Sequence, residues 1–374
     1  MPDSAGLKAD AVDRERLLKA FLDLVAIDSP TGHEEAIGVE LKRRFSDLGC
    51  AVTMDEHGNL IATYPGDRGD TLLLSFHMDT AGTDTGIKPQ IRDGVIYSDG
   101  TTILGADDKS GLAQVLELLT LLEAHKDWTH PNLEIVVTVG EEQGLNGSRA
   151  LDKSKLKATW GLVYDAAGGV GAITYWAPTS VFMTVKVHGK KVHAGVEPEK
   201  GINAIKVAAE AIANMRLGRI DEETVANIGT IEGGEARNIV PGEVKMLGMA
   251  RSHDQSKLDA QIAAMRRAFE DAAAKYGASV DFQAEEKYRT YRIDPSERPY
   301  REAVRALETM GIKVIHRKSG GGTDGNVFNN AGIRCVAMCT GMVDEHAVSE
   351  HISIEDLVTA AKVLVTVVTQ EPEP

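Results

Sequence analysis

The 374-residue sequence is poor in cysteine and aromatic residues, and it has no long hydrophobic run. Its three cysteines are an odd number, and Cys335 and Cys339 lie in the apolar segment IRCVAMC. Buried free thiols are therefore expected rather than a disulfide framework. No segment approaches the ~20 apolar residues that span a bilayer, and residues 1–16 lack the apolar core of a secretory signal. These absences predict a cytoplasmic protein without a membrane span.

Positive charge is also scarce. Lysine and arginine number 41 against 56 aspartates and glutamates, which gives a formal net charge of −15. Nucleic acids and anionic membranes attract proteins through clustered Lys and Arg, so the sequence predicts neither as a partner. The chain is longer than the roughly 250–300 residues at which one hydrophobic core stops growing, so two domains are expected.

The periodicity of apolar residues changes twice along the chain. Up to about residue 175, amphipathic helices alternate with apolar strands such as TLLLSF, LEIVVTV and WGLVYD, and this pattern returns after residue 291. It predicts an α/β domain, residues 1–178 and 291–374, with helices on both faces of a sheet. Between them, residues 179–290 follow the order β-α-β-β-α-β of a ferredoxin-like module. We expect this inserted module to have one free sheet face, available for a lid or for dimerisation.

Polar side chains follow the predicted strands of the α/β domain. TLLLSF runs into His77 and Asp79, which point the same way because side chains alternate along a strand. LEIVVTV runs into Glu141 and Glu142, and WGLVY runs into Asp165. The carboxyl ends of such strands meet at one edge of the sheet, where ligands bind.

Two more carboxylates, Asp107 and Asp108, precede the helix that begins KSGLAQ. One histidine and several carboxylates in one place repel each other unless a cation lies between them. Imidazole and carboxylate ligands suit zinc and, less selectively, cobalt or manganese.

Each of these residues also has an ordinary explanation. A carboxylate at a helix start is commonly an N-cap, and paired glutamates after a strand are commonly surface residues. The metal interpretation is favoured because four separate strand or helix ends would otherwise coincide by chance. A second histidine ligand is expected from GMVDEHAVSEHIS, with His346 the first candidate and His351 its rival; His316 and His33 are weaker alternatives.

Seven motifs together resemble the peptidase T branch of the dizinc exopeptidases, a superfamily that also includes glutamate carboxypeptidases, dipeptidases and aminoacylases. They are HMDT, LGADDKSGLA, GEEQGLNGS, YDAAGG, HAGVEPEKGINA, GGGTDGN and EHAVSEHISIEDL. They cover nearly the whole chain in the family's order. The resemblance implies a zinc-exopeptidase-like α/β/α catalytic domain with an inserted ferredoxin-like lid or dimerisation domain.

The resemblance further implies two zinc ions, with cobalt or manganese possible in their place. His77 and Asp165 would hold one ion, Glu142 and His346 the other, and Asp107 would bridge them.

Two catalytic roles also follow from the resemblance. Glu141 would be the general base, and Asp79 would hydrogen-bond the free ring nitrogen of His77.

Substrate contacts are implied on the lid and on a glycine-rich loop. A lid histidine, here His193, would stabilise the oxyanion and is often supplied by the partner subunit of a dimer. Arg237 and Asn238 match a substrate-binding motif of the lid. Gly321, Gly322 and Thr323 belong to a loop, residues 320–324, whose backbone N–H groups are expected to hold one end of the substrate. Their ordinary alternatives are an exposed loop histidine, a turn-capping asparagine and a plain glycine turn.

The predicted function is a dizinc aminopeptidase that hydrolyses short peptides, with tripeptides first among them. The sequence departs from peptidase T at Gly320, where an arginine is expected directly before GGTDG, with Lys318 two residues earlier. The alternative is an amidohydrolase or carboxypeptidase acting on N-acyl amino acids or C-terminal residues. A metal-free binding protein is disfavoured, because all five ligand positions and Glu141 are present. The expected partners are a short peptide and a second copy of the chain.

Overall fold

The computed structural model describes residues 4–371, and these divide into two compact units. Unit 1 comprises residues 4–176, 291–319 and 323–371, and unit 2 comprises residues 177–290 and 320–322. Within residues 4–371, no helix combines the length and the apolar character needed to cross a membrane.

The helices of the described residues are α1 (Ser4–Ala9), α2 (Arg14–Val25), α3 (Glu35–Asp47), α4 (Ala106–Ala124), α5 (Asn146–Ala150), α6 (Ala204–Ala213), α7 (Gln255–Tyr276), α8 (Arg298–Thr309), α9 (Asp324–Asn330) and α10 (Ile354–Thr369).

The strands are β1 (Ala51–Met54), β2 (Leu60–Tyr64), β3 (Thr71–His77), β4 (Gln90–Arg92), β5 (Val95–Tyr97), β6 (Asn132–Thr138), β7 (Trp160–Ala166), β8 (Ala172–Ala177), β9 (Thr179–His188), β10 (Gly218–Arg219), β11 (Thr224–Gly233), β12 (Glu243–Ser252), β13 (Ser279–Tyr288), β14 (Tyr291–Arg292), β15 (Ile315–Lys318), β16 (Arg334–Cys339), β17 (Met342–Val343) and β18 (His351–Ser353).

A large mixed sheet forms the centre of unit 1. Its strand order is β1-β2-β6-β3-β7-β16-β8-β14, with β15 paired to β8. The four middle strands β6, β3, β7 and β16 are parallel. Parallel strands are covered on both faces, which is why β3 reads as a nearly continuous apolar run. The carboxyl ends of these strands therefore share one edge of the sheet.

The helices of unit 1 differ in how they are buried. Helix α2 is amphipathic, with Leu17, Phe21 and Leu24 buried on one face and Asp13 as its N-cap. Helix α4 is buried on nearly all sides and starts after Gly105, which has a left-handed φ of +70°. A small antiparallel sheet, in the order β17-β18-β5-β4, holds the segment before α10 against the segment before α4. It connects two loops that carry predicted ligands.

Unit 2 follows the order β9-α6-β10-β11-β12-α7-β13, in which β10 has only two residues, and its sheet has the spatial order β10-β11-β12-β9-β13. Helices α6 and α7 pack on one face through residues such as Val187, Ala208 and Phe269. The other face carries a groove of about 570 Å³, whose lining includes Phe182 and Leu247.

Candidate metal centre

Three neighbouring parallel strands bring the predicted ligands to one edge of the large sheet. In the register of the sheet, His77 at the end of β3 lies opposite Thr138 at the end of β6. Ser75 lies opposite Val163 of β7, so Asp165 comes two residues further along, level with His77. Glu141 comes three residues after the end of β6. The strand ends therefore converge as the sequence predicts.

His77 is buried and points its Nε2 atom at carboxylates. This nitrogen lies 2.9 Å from Asp107 Oδ1 and 3.6 Å from Asp165 Oδ1. The other ring nitrogen, Nδ1, lies 2.9 Å from the backbone oxygen of Asp79 and 3.4 Å from its Oδ1. The ring of His77 is thus oriented first by the backbone oxygen of Asp79, and the predicted carboxylate contact is the longer of the two.

The carboxylate of Asp79 has its closest partners elsewhere. Its Oδ2 accepts a hydrogen bond from Thr31 Oγ1 over 2.8 Å. Its two oxygens also accept from the backbone N–H groups of Glu141, over 3.0 Å, and of Glu142, over 3.3 Å. Asp79 therefore fixes the turn that carries both glutamates.

The structure distinguishes between the two candidate histidines near the C-terminus. His346 Nε2 lies 3.0 Å from Glu142 Oε2 and 3.2 Å from Asp107 Oδ2. His351 instead lies in β18, where its ring stacks on Tyr97 at 5.2 Å between centroids. His346 is therefore the histidine that reaches the carboxylates.

The ligand atoms form two groups that share His77. In each group, one atom from every member lies within 4.8 Å of the others; the groups are His77 with Glu141 and Asp165, and His77 with Asp107 and Glu142. Imidazole nitrogens and carboxylate oxygens suit zinc, cobalt or manganese. Glu142 Oε1 is buried without a hydrogen-bond partner, which is unusual for a buried carboxylate oxygen. The residues present fit a metal centre.

The electrostatics of the protein chain alone favour a cation here. Burial raises the pKa of Asp165 to about 7, and it raises the pKa of Glu142. Burial together with the charge of Asp165 raises the pKa of Glu141 well above its ordinary value. The carboxyl groups of Asp165, Glu142 and Glu141 hold protons more tightly than in water, because they lie together in a buried space.

The same carboxylates raise the pKa values of the two histidines, His77 and His346. Burial alone would lower the pKa of His77, but the charge of Asp165 and the hydrogen bond to Asp107 raise it well above its usual value. Hydrogen bonds to Asp107 and Glu142 raise the pKa of His346 to about 11. A positive charge is therefore stabilised between these carboxylates.

Three buried carboxylates beside the centre have partners that the sequence does not reveal. Asp108 accepts the N–H groups of His77 and Gly111. Glu350 accepts three backbone N–H groups, from Leu104 and Gly105 before α4 and from Asp107 in its first turn.

Asp324 accepts the hydroxyl groups of Thr138 and Ser148, each over 2.5 Å. The local sequence signal for Asp324 is the Thr-Asp pair at the start of α9, an N-cap pattern. That pair was interpreted above as part of a substrate loop.

Unit 2 brings together the residues predicted on the lid. The N–H of Ala194 donates to the backbone oxygen of Asn238 over 2.9 Å, and His193 forms a β-bridge with Ile239. His193, Arg237 and Asn238 are all exposed. The predicted lid contacts thus lie on adjacent loops.

The glycine-rich loop has protein partners of its own. The N–H of Gly322 donates to Tyr288 Oη over 3.1 Å, and a Cβ at position 322 would lie 2.3 Å from the Tyr288 ring. Thr323 caps α9, with its Oγ1 accepting from Gly325 and its N–H donating to Asn326 Oδ1. These atoms of Gly322 and Thr323 are therefore already paired within the protein.

The chain is similar to known proteins over nearly its whole length. Residues 73–370 match the model of Peptidase family M20/M25/M40. The uncharacterized protein YqjE of Bacillus subtilis (strain 168) is 43% identical over 368 residues, covering 96% of this chain and 99% of that protein.

Two similar solved structures carry descriptions of their activity. One is the aminopeptidase PepT from Bacillus cereus ATCC 10987, with a TM-score of 0.83, 42% identity, and coverage of 96% of this chain and 98% of that one. The other is a tripeptidase from Staphylococcus aureus subsp. aureus Mu50, with a TM-score of 0.89, 38% identity and the same coverage.

These matches confirm the predicted α/β fold, the predicted peptidase T likeness and the prediction that the protein is a peptidase. The family match covers residues 73–370 and therefore includes every predicted metal ligand. The chain belongs to Peptidase family M20/M25/M40.

Proposed function

We propose that this protein is a metal-dependent aminopeptidase that hydrolyses short peptides from the free N-terminus, with tripeptides as its leading substrates. The observation that carries the proposal is the position of Asp107 between two histidines. Its Oδ1 lies 2.9 Å from His77 Nε2, and its Oδ2 lies 3.2 Å from His346 Nε2. A carboxylate whose two oxygens face two different imidazoles is suited to bridge a pair of cations.

The proposed ligands divide around that bridge. His77 and Asp165 would hold one divalent ion, and Glu142 and His346 the other, with zinc proposed and cobalt or manganese compatible with the same ligands. Such ions, when bound, acidify water and polarise a carbonyl group. The unpaired, buried Oε1 of Glu142 supports this role, because a metal ion would satisfy it.

Glu141 is the proposed general base. It is buried in the group that contains His77 and Asp165, and its backbone N–H is fixed by Asp79. Burial and nearby negative charge raise its pKa, so its carboxylate readily accepts a proton. Glu141 takes a proton from the attacking water and returns it to the nitrogen of the leaving amine.

Unit 2 is proposed to complete the site. His193 would donate to the oxyanion, and Arg237 and Asn238 would contact the peptide. The exposed position of all three residues on adjacent loops supports this role. We further propose a homodimer formed through unit 2, in which His193 acts on the site of the partner subunit. The cytoplasmic location remains a prediction.

A cleavage assay tests the proposed function. One tripeptide, in free, N-acetylated and C-amidated forms, is incubated with zinc-loaded protein and followed by mass spectrometry, with a chelator control. Chelator-sensitive cleavage that requires the free amine supports an aminopeptidase. Cleavage of the acetylated form, or a requirement for the free carboxylate, would instead indicate the deacylase or carboxypeptidase alternative. No cleavage of any form would contradict the proposal.

A further inference from the structure

The carboxylate of Glu350 lies in the interior of unit 1, with the residue only 1% exposed, and its hydrogen bonds go to backbone N–H groups. Its Oε2 accepts from Leu104 and from Gly105, each over 2.7 Å, and its Oε1 accepts from Asp107 over 3.0 Å. All three donors belong to one four-residue segment. Glu350 therefore binds that segment as a single unit.

The segment needs an external acceptor. The first N–H groups of a helix have no partner within the helix, and a side chain at the N-cap usually accepts one of them. Here the N-cap of α4 is Gly105, which has no side chain and a left-handed φ of +70°. Asp107 also departs from helical dihedral angles, with ψ at 107°. Asp108 accepts the N–H of Gly111 further along the helix, whereas the N–H groups of Leu104, Gly105 and Asp107 have Glu350 as their acceptor.

Glu350 also lies four residues after His346, in the segment between β17 and β18. One carboxylate thus connects the loop that carries His346 to the segment that carries Asp107. The His346 side chain is 52% exposed and its φ is +65°, so packing around the ring does little to fix it. Beyond the ring's own contacts with Asp107 and Glu142, its distance from Asp107 depends on the course of the backbone, which Glu350 holds four residues later.

We propose that Glu350 is a positioning residue that sets the separation of Asp107 and His346 and thereby the affinity of the centre for divalent metal ions. This inference rests on the proposed metal-dependent function. Glu350 itself touches neither metal nor substrate in this account. It acts through the backbone of one ligand segment and the loop of the other.

The substitution Glu350→Gln tests the role of the charged acceptor. Glutamine keeps the size of the side chain, but its NH2 group must face at least one backbone N–H, where it cannot accept. We expect affinity for zinc to fall by about 10–100-fold, the range for residues that orient metal ligands. The affinity is measured by chelator competition on metal-free protein reloaded with zinc. The visible spectrum of the cobalt-loaded protein should change as well.

Glu134→Gln is a matched control. Glu134 is also a buried glutamate in unit 1, and it accepts the backbone N–H groups of Lys157 and Ala158 over 2.9 Å. It lies near the start of β6, at the end of that strand away from Glu141. We expect Glu134→Gln to lower the melting temperature but to leave zinc affinity and the cobalt spectrum unchanged.

Each result of these measurements either supports or contradicts the proposed role of Glu350. Zinc affinity and a cobalt spectrum equal to wild type in Glu350→Gln would overturn the inference, as would an equal loss of affinity in Glu134→Gln. If Glu350→Gln fails to fold, Glu350→Asp keeps the charge on a shorter side chain; we expect weakened zinc binding, and unchanged binding would count against the inference. If the wild-type protein binds no divalent ion, the proposed function falls and this inference with it. If wild type binds metal and only the Glu350 prediction fails, the proposed function stands.

Discussion

Asp79 Oδ1 accepts a hydrogen bond from the backbone N–H of Glu141 over 3.0 Å. The same oxygen lies 3.4 Å from Nδ1 of His77. One buried carboxylate therefore contacts both a proposed metal ligand and the proposed base. Its environment explains why a strand ends in a histidine and an aspartate on one face.

Replacing the Asp79 carboxylate should impair both the orientation of the metal ligand His77 and that of the base Glu141. In Asp79→Asn, an NH2 group, which cannot accept a hydrogen bond, replaces one carboxylate oxygen. If it replaces Oδ1, the hydrogen bond from Glu141 is lost; if it replaces Oδ2, those from Glu142 and Thr31 are lost. We expect kcat/KM to fall by about 10–100-fold, as is typical for residues that orient metal ligands. Thr31→Val removes only one of the three hydrogen bonds and should have a smaller effect. A larger loss in Thr31→Val than in Asp79→Asn would contradict this account.

The two C-terminal histidines should differ in metal binding. His346→Ala removes a ligand that faces Asp107 and Glu142, so the metal content should fall from two ions towards one. His351→Ala removes a ring that stacks on Tyr97 and should leave the metal content unchanged. Metal analysis of both purified variants checks this. Loss of metal in His351→Ala alone would show that the ligand is misassigned.

Metal removal should make the stability of the protein depend on pH. In metal-free protein the pKa of Asp165 is about 7 when folded against an ordinary 3.8, and the pKa of Glu141 is also raised. The folded state then binds more protons than the unfolded state, so stability falls as pH rises from about 4 to about 7.

The raised pKa values of His77 and His346 act in the same direction above about pH 6.5. Urea unfolding of chelator-treated protein at pH 5.5 and pH 8 should give a lower free energy of unfolding at pH 8. The zinc-loaded protein should show a smaller difference. A metal-free protein that is more stable at pH 8 would contradict the prediction.

Mixing variants tests the proposed dimer. His193→Ala and Glu141→Ala should each be inactive alone. After subunit exchange, one site of the mixed dimer would combine an intact Glu141 with an intact His193 of the other subunit, so partial activity should return. Exchange is verified by native mass spectrometry with one variant isotopically labelled. Exchange without recovered activity would indicate a site completed within one chain.

The regular elements could largely be predicted from the sequence, because apolar periodicity reports burial. The run TLLLSF corresponds to β3 (Thr71–His77), and the predicted β-α-β-β-α-β order is that of unit 2. The small sheet is not predicted from the sequence, since its strands β4 and β5 have three residues each. Strands of that length are too short to show an alternating pattern.

The residues of the metal centre also differ in whether the sequence predicts them. The convergence of His77, Asp165 and the glutamate pair could be predicted because each lies at or shortly after the end of a recognisable strand. Glu350 could not, since its partner Asp107 lies 243 residues earlier and donates a backbone N–H, which every residue but proline carries. Local sequence does not indicate which main-chain groups a distant carboxylate will reach.

The most direct test of the central claim compares the two adjacent glutamates. Glu141→Gln and Glu142→Gln are each assayed for zinc content and for cleavage of a tripeptide. We expect Glu141→Gln to retain two metal ions while kcat falls by about 10²–10⁴-fold, the usual contribution of a general base. Glu142→Gln should lose metal together with activity. Undiminished turnover in Glu141→Gln, or loss of metal from that variant with full retention in Glu142→Gln, would contradict the assignment of base and ligand.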